Sequence, residues 1–238
     1  MATTAVTLAG TTVDVLDAVP RAWDLLDDAE RGRAAGFRHE ADRSDYVAAH
    51  ALLRVALRLG APQLKGAARI TRSCGDCGST GHGAPRLLNA PGTSVSLSHT
   101  RGYVSAGVGP RRVGTDVEPV SGGARRARLH HLVLSPAEAR AVSAAACADR
   151  AFVRCWVRKE SLVKMGLGSL DRLRELDTSP LPVDRPGPGD TLWSTFGAFH
   201  VLDWSDPRTD VAGSTIAEHP PRLLLLERAG QRVRLRRV

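Results

Sequence analysis

The sequence has 238 residues, of which 42% are apolar and 24% are charged, so its length allows one sizeable domain or two small ones. This composition is typical of a globular protein and excludes a chain that is disordered throughout. Lys and Arg number 33 against 25 Asp and Glu, and the net charge of +8 favours a polyanionic or phosphate-bearing partner. No apolar run reaches the length of a membrane span, and the first residues lack the features of a signal peptide, so we expect a cytoplasmic protein.

Periodicity predicts a helix over residues 40–59, ended by Gly60-Ala61-Pro62. Its apolar side holds Tyr46, Ala49, Leu53 and Ala56. Arg43, His50, Arg54 and Arg58 fall along the other side. This cationic stripe is typical of a solvated helix face, and it would also suit a phosphate-binding surface.

The next segment, CGDCGSTGHGAP, contains the pair Cys74 and Cys77. A structural zinc site needs four ligands and only His82 lies nearby, so we interpret this segment as an ordinary loop with reduced thiols. Alternating residues then predict a hairpin of residues 93–99 and 103–108. A third strand is predicted over residues 113–118, and its period of two places Asp116 and Glu118 on one face.

Helical patterns follow over residues 125–134, 135–146 and 149–165, the last with Asp149 as N-cap and Gly166 just beyond its end. Beyond Gly168 the chain is rich in loops, with strand-like runs at 191–204 and 222–227. We therefore predict a mixed α+β fold, divided near Gly109 into an N-terminal part, 1–109, and a C-terminal part, 110–238.

Three acids and a lysine are the strongest candidates for chemistry. Asp116 and Glu118 repel each other unless a cation or proton lies between them, which suits Mg²⁺ or Mn²⁺. Glu160 lies on the helix 149–165, and Lys164 follows one turn later on the same face. Alone, the pair Asp116 and Glu118 is more typical of a polar strand end that faces water, and Glu160 with Lys164 is also typical of an ordinary stabilised helix. Together they favour a metal that binds phosphate oxygens beside an ammonium.

The candidate motifs, in chain order, are FRHEADRSDYVAAHALLR (37–54), HGAPRL with VSLSHT (82–87 and 95–100), VGTDVEPV (113–120) and WVRKESLVK (156–164). LSPAE (134–138) is a weaker motif between the last two. The chain resembles the 4′-phosphopantetheinyl transferases of the type that activates surfactin synthetase. The combination of G-x-D-x-E with W-x-x-K-E-x-x-x-K is specific to that family, whereas either motif alone is weak.

The resemblance implies two similar α/β halves related by a pseudo-twofold axis, with coenzyme A bound between them, which agrees with the division near Gly109. It implies transfer of the phosphopantetheine arm of coenzyme A to a serine hydroxyl of an apo acyl or peptidyl carrier protein, with release of 3′,5′-ADP. The expected partners are coenzyme A and the carrier protein, with no nucleic acid and no membrane. A monomer is expected.

The resemblance also implies roles for single residues at the reacting phosphates. Asp116, Glu118 and Glu160 would hold Mg²⁺ or Mn²⁺ against the pyrophosphate of coenzyme A. Lys164 would reach the phosphate whose bond is broken. Our mechanistic hypothesis is that Glu160 accepts the serine proton, directly or through water, while Lys164 stabilises the departing 3′,5′-ADP.

The remaining coenzyme contacts that the resemblance implies lie in several parts of the chain. Ser98 and His99 would contact the 3′-phosphate, and Arg33 and Arg43 would add positive charge there. Lys159 is counted with these coenzyme-binding residues.

Two positions depart from the family pattern. Ala84 stands in HGAP where the family usually carries Lys or Arg, and neighbouring Arg86 is a candidate replacement. Only Met165 separates Lys164 from Gly166, so the loop after the catalytic helix is one residue shorter than usual.

Two other classes of function remain open from the residues alone. A Mg²⁺-dependent nuclease would also use three acids and a lysine, although its usual E-x-K spacing is absent. A basic nucleic-acid-binding module would use the cationic stripe but would leave the acids without a role.

Overall fold

The structure, a computed structural model, describes residues 4–64, 68–73, 78–79, 83–121, 128–184, 191–206 and 208–238. The α-helices are α1 (Thr12–Ala18), α2 (Asp28–Ala35), α3 (Glu40–Gly60), α4 (His130–Val133), α5 (Pro136–Ala144) and α6 (Ala148–Lys164), and 3₁₀ helices cover Ala22–Leu25, Pro62–Leu64 and Leu170–Glu175. The first strands are β1 (Ala5–Thr11), β2 (Ile70–Ser73), β3 (Ala84–Leu87), β4 (Thr93–Thr100), β5 (Tyr103–Pro110) and β6 (Val113–Pro119). The later strands are β7 (Leu192–Phe196), β8 (Phe199–Asp206), β9 (Val211–Ala217), β10 (Pro221–Ala229) and β11 (Arg232–Arg237).

A five-stranded sheet carries the longest helix on one face. Its strand order is β11-β10-β1-β5-β4, in which β1 and β10 are parallel and the other neighbours are antiparallel. Alternate residues of β5, such as Val104 and Ala106, share a buried apolar cluster with Leu52 and Leu53 of α3. The apolar side of α3 thus covers the outer face of this sheet, as its 3.6-residue period predicts.

A four-stranded antiparallel sheet, β6-β9-β8-β7, carries α6 in the same way. The alternation of β8 shows its two faces clearly. Val201 packs in a cluster with Leu162 of α6, whereas Leu202 packs toward the other sheet. The small hairpin β2–β3 is separate from both large sheets.

The inner faces of the two large sheets pack on each other. Their shared cluster is Ala9, Tyr103, Val117, Leu202, Trp204, Val211, Leu223 and Leu225. The layers are therefore α3, first sheet, second sheet, α6. At one edge of this interface, β6 lies close to β4, where the backbone N–H of Thr115 donates to Ser96 Oγ at 3.0 Å.

The mixed α+β class is confirmed. The division near Gly109 stays a prediction. In the structure, β10 and β11 come from the predicted C-terminal part but complete the sheet of the N-terminal part. In the described ranges no helix is both long and apolar enough to cross a membrane.

The helix at 40–59, the hairpin and the strand at 113–118 are confirmed to within one or two residues. Three local predictions were wrong. Cys147, not Asp149, is the N-cap of α6. The run 191–204 is two strands, because Gly197 adopts φ +58° and turns the chain. In the part of 125–134 that the structure describes, the helix begins only at His130. Lys65, Cys74, Cys77 and His82 lie outside the described residues.

Candidate active site

The strand β6 and the helix α6 touch at a glycine. A Cβ atom at Gly114 would lie 2.0 Å from the carbonyl oxygen of Ser161, so the close approach of the two backbones requires glycine here. The Ser161 hydroxyl also donates to the carbonyl oxygen of Ser214 on β9, at 3.1 Å. Gly114 belongs to G-x-D-x-E and Ser161 follows the Lys-Glu pair of the second motif, so this contact brings the two motifs together.

Asp116 lies at the centre of the candidate site and is 4% exposed. Its Oδ1 accepts hydrogen bonds from Ser98 Oγ and from the Lys164 ammonium, both at 2.7 Å. Its Oδ2 is buried and has no hydrogen-bond partner among the described residues. A buried carboxylate oxygen without a partner is costly, and a cation is the ligand that such an oxygen binds best. The chemistry of Asp116 is therefore that of a residue able to bind a metal ion through Oδ2.

The two lysines of the RKESLVK motif have different surroundings. The Lys164 ammonium donates to Asp116 and to the carbonyl oxygen of Thr115, at 3.1 Å, and its side chain is 23% exposed. An ammonium has three donors, so these described partners leave one N–H for a ligand. Lys164 can therefore donate to one further ligand, and its role at the reacting phosphate stays a prediction.

Lys159 is wholly buried, and its ammonium donates to three acceptors. They are the carbonyl oxygen of Val133 at 2.6 Å, Glu138 Oε2 at 2.5 Å and the carbonyl oxygen of Leu173 at 3.0 Å. All three N–H donors are used, so Lys159 has none left for coenzyme A in this arrangement. These contacts tie α6 to α4, to α5 and to the 3₁₀ helix Leu170–Glu175, and the coenzyme-binding role of Lys159 stays a prediction.

Glu160 is half-buried beside Asp116. Burial and the negative charge of Asp116 together raise the pKa of Glu160 to about 7, against the opposing positive charge of Lys164. Two carboxylates that act on each other in this way are stabilised by a shared proton or cation. Glu160 therefore titrates near neutral pH, and its place beside Asp116 suits it to bind a metal ion or a proton.

Glu118 follows Asp116 on the same face of β6 and borders a small cavity of about 70 Å³. The cavity is lined by Glu118, Leu129, Phe152, Val153 and Trp156. Across the described ranges, no group of three or more His, Cys, Asp or Glu side chains is arranged to hold a metal. The metal-binding role of Asp116, Glu118 and Glu160 as a set stays a prediction.

Ser98 and His99 lie near the end of β4, as expected from the sequence. Ser98 is bonded to Asp116, which the sequence did not predict. The ring of His99 faces the ring of Tyr46 edge-on, with their centres 6.5 Å apart. Burial and the positive charges of Lys164 and Arg72 lower the pKa of His99, against the opposing charges of Asp45 and Asp42.

The cationic stripe of α3 is only partly a solvated face. Arg43 forms an exposed ion pair with Glu40 in the first turn, and Arg58 is exposed as well. His50 is 1% exposed, which corrects its placement on a solvated face. It lies under α2, where its Nδ1 is 2.6 Å from Glu30 Oε1, and Arg54 also pairs with Glu30.

Sequence reasoning missed Glu30 and Arg72. Glu30 completes a capping box with Asp27, and it also accepts from His50 and Arg54. The pattern D-x-x-E was a visible signal for this helix start. Burial alone would raise the pKa of Glu30, but the hydrogen bond and charge of His50 and the charge of Arg54 lower it to about 2. This group fastens α2, which carries the exposed Arg33, to α3.

The set of carboxylates, hydroxyl and ammonium around Asp116 is of the kind used to bind phosphates and to stabilise charge in phosphoryl transfer. Residues 112–227 match the family model of the 4′-phosphopantetheinyl transferase superfamily. The matched segment runs from β6 through α6 to β10 and so includes Asp116, Glu118, Glu160 and Lys164. It supports a transferase of the phosphopantetheinyl type. No curated protein matches the chain.

Proposed function

We propose that this protein transfers the 4′-phosphopantetheine group of coenzyme A to a serine of an apo acyl or peptidyl carrier protein and releases 3′,5′-ADP. This is the activity of transferases of the surfactin-synthetase-activating type. One observation carries the proposal: Asp116, Glu160 and Lys164 lie together where β4, β6 and α6 meet. The match of residues 112–227 to the superfamily supports the general reaction.

Asp116 and Glu160 would hold a divalent cation, Mg²⁺ or Mn²⁺, with Glu118 as the third ligand. The unpartnered Oδ2 of Asp116 and the raised pKa of Glu160 support this assignment. When bound, the cation supplies positive charge to the pyrophosphate oxygens of coenzyme A.

Lys164 and Glu160 would carry out the remaining steps. The serine oxygen forms a bond to the phosphorus that bears the pantetheine arm, and the bond from that phosphorus to the bridging oxygen of 3′,5′-ADP breaks. Glu160 accepts the serine proton, and a pKa of about 7 gives it a substantial ionised fraction at neutral pH. The free N–H of Lys164 donates to the phosphate on which negative charge develops.

The chain is basic, with a net charge of +8, which suits an acidic protein partner. Carrier proteins of this family present acidic helices, so this charge favours such a client over a basic one. A monomer remains the expected oligomeric state.

The proposal is tested by the intact mass of an apo carrier protein after incubation with this protein, coenzyme A and Mg²⁺. We expect a gain of one phosphopantetheinyl group, lost with EDTA and strongly reduced in Glu160→Gln. Glu175→Gln is the matched control, since Glu175 is exposed and pairs only with Arg172 among its described partners. No mass gain with acyl and peptidyl carriers at any Mg²⁺ or Mn²⁺ concentration would reject the function, and full activity of Glu160→Gln at saturating metal would reject its role as base.

A further inference from the structure

The two large sheets end together on the side of the molecule opposite the candidate site. There β11 is the last strand of the first sheet and β7 is the last strand of the second. The candidate site uses Ser98 of β4 and Asp116 of β6, the last strands at the other end of the same sheets. Four strand spacings of about 4.8 Å separate β11 from β4, so the two strands lie about 19 Å apart. A surface formed by β7 and β11 is therefore distinct from the candidate site.

Arginines occupy every position of β11 that faces the second sheet. Paired residues of neighbouring strands share a face, and Arg236 pairs with Leu225 of the buried cluster between the sheets. Alternation along the strand places Arg234 and Arg232 on this same inner face. Val233 lies between them and packs against the cluster of α3 on the outer face, which agrees with this alternation. A row of three positive charges therefore follows the inner face of β11.

An exposed tryptophan lies on the last strand of the other sheet. Trp193 of β7 pairs with Leu202, which belongs to the cluster between the sheets, so Trp193 is also on an inner face. Its exposed fraction is 50%. Since Leu202 and Leu225 share that cluster, Trp193 and Arg236 border it from opposite sheets. The β7–β11 margin is defined here as Arg232, Arg234, Arg236 and Trp193.

The arginines of this margin have few acidic partners. Arg236 forms an ion pair with Glu227 Oε1 at 2.5 Å, whereas Arg232 and Arg234 are exposed and form no ion pair with a described residue. Arg228 on the outer face of β10 shows the contrast, because it pairs with two aspartates of α1. The margin therefore carries positive charge that the described part of the chain does not neutralise.

The chemistry of the margin fits an extended acidic peptide. Guanidinium groups bind carboxylates through paired hydrogen bonds. Alternate side chains of an extended peptide repeat every 6.8 Å or so, about the spacing of the arginines on β11. No other described strand pairs with the free edge of β11, so its backbone N–H and C=O groups can pair with such a peptide. Nucleic acid has no peptide backbone and cannot form this pairing.

Charged side chains on an edge strand also protect a sheet against non-specific pairing with other sheets. Trp193 does not serve that purpose, because a half-exposed aromatic side chain promotes association. Tryptophan and arginine together are typical of the centres of protein interfaces. The composition of the margin therefore favours a specific protein contact over simple protection of the edge.

We propose that the β7–β11 margin is a docking surface for an extended acidic segment of a protein partner. The segment pairs with the free edge of β11, its carboxylates bind Arg232 and Arg234, and an apolar side chain contacts Trp193. This inference goes beyond the proposed transfer reaction, since no residue of the candidate site belongs to the margin.

Fluorescence anisotropy with a labelled peptide in which glutamate and serine alternate tests the charge of the margin. The double variant Arg232→Gln, Arg234→Gln should bind this peptide about threefold to thirtyfold more weakly, the loss typical of two exposed ion pairs. The matched control, Arg69→Gln with Arg174→Gln, removes the same charge from two exposed arginines elsewhere and should bind as the unmodified protein does. A peptide with glutamine in place of glutamate should bind far more weakly to all three proteins.

Two further variants separate the contributions of charge, strand and aromatic ring. Arg232→Lys with Arg234→Lys keeps both charges and should retain most of the binding, whereas a disturbed strand would lose it. Trp193→Ser should weaken binding of a peptide with a central leucine more than binding of the peptide without leucine.

The outcomes separate this inference from the proposed function. Equal binding by the glutamine double variant and its matched control, or equal binding of the glutamate and glutamine peptides, would overturn the docking surface. Single-stranded DNA that binds more tightly than the acidic peptide, through the same arginines, would overturn the choice of a protein partner. The double variant should keep the kcat of transfer from coenzyme A, because the margin is far from the candidate site. If peptide binding requires Arg232 and Arg234 but no carrier protein is modified, the surface stands and the proposed function fails.

Discussion

The Lys164 ammonium donates to Asp116 Oδ1 at 2.7 Å, which joins the last turn of α6 to the middle of β6. The same Oδ1 accepts from Ser98 of β4, so one carboxylate oxygen connects elements of both sheets. Oδ2 is left for another partner. The ion pair therefore orients Asp116 so that one oxygen is satisfied by protein groups while the other is buried without a hydrogen-bond partner among the described residues.

Replacing Lys164 with Met should lower the transfer rate more than it affects substrate binding. The variant loses the donor that we assign to the developing phosphate charge, and removal of one such donor typically costs about 100- to 1,000-fold in kcat. Steady-state kinetics with coenzyme A and a carrier protein measures this effect.

Lys164→Arg provides the comparison, because a planar guanidinium keeps the charge but not the point geometry of an ammonium. We expect it to recover only part of the rate. A Lys164→Met variant with an unchanged kcat would show that the ion pair with Asp116 is structural only.

Gly114→Ala should destabilise the protein, because its new Cβ would lie 2.0 Å from the Ser161 carbonyl oxygen and push α6 away from β6. Overpacking of this kind typically costs about 1–3 kcal/mol in the free energy of unfolding. Urea denaturation measures the cost, and the displaced helix should also reduce transfer activity.

Gly32→Ala is the matched control for this prediction. Gly32 lies inside α2, and apart from its chain neighbours and the backbone of its own helix no heavy atom lies within 4 Å of where its Cβ would be, so alanine should stabilise the helix by about 0.5–1 kcal/mol. If Gly114→Ala proved as stable as Gly32→Ala, the close approach of β6 and α6 would not constrain the fold.

The sequence predicted the acidic and basic groups of the site because they follow simple periods. Asp116 and Glu118 are two residues apart on a strand, and Glu160 and Lys164 are four apart on a helix. Lys159 precedes Glu160 by one residue, which on a helix turns its side chain by about 100° and directs it into the interior. The spacing alone therefore shows that the side chains of Lys159 and Lys164 lie on different faces of α6.

Other features depended on partners far away in the chain. His50 is buried because α2 covers a second face of α3, and a single apolar stripe does not reveal that. The pairing of β1 with β10 joins Ala5 to Pro221, so no local pattern could predict it. No sequence pattern distinguishes Arg72 from the other arginines, whereas the structure places it beside His50 and Tyr46.

Lys159→Met should strongly destabilise the fold. It leaves Glu138 as a buried carboxylate without its cation, and loss of one partner from a buried ion pair typically costs about 3–5 kcal/mol. Thermal and urea unfolding of the variant measure this loss. Lys159→Met combined with Glu138→Gln should recover part of the stability, because no unpaired charge remains. A stable single variant with selectively weakened coenzyme A binding would instead support the coenzyme-binding role expected from the sequence.

Without metal, Glu160 should make the stability of the protein depend on pH. Its pKa is about 7 in the folded protein against an ordinary 4.5, so between these values the folded state binds more protons than the unfolded state. The stabilising contribution is complete below pH 4.5 and is lost as pH rises through 7. The free energy of unfolding in EDTA should therefore fall by at most about 3 kcal/mol over this range through this group.

Glu160→Gln isolates this contribution, since other groups titrate equally in both proteins. The difference in unfolding free energy between the unmodified protein and Glu160→Gln should decrease steadily from pH 5 to pH 8, whereas Glu175→Gln should show no such slope. Addition of Mg²⁺ at pH 8 should stabilise the unmodified protein more than Glu160→Gln, because a cation relieves the repulsion between Glu160 and Asp116. Parallel stability curves for the unmodified protein and Glu160→Gln would mean that Glu160 titrates as an ordinary carboxyl and is poorly matched to accept a proton at neutral pH.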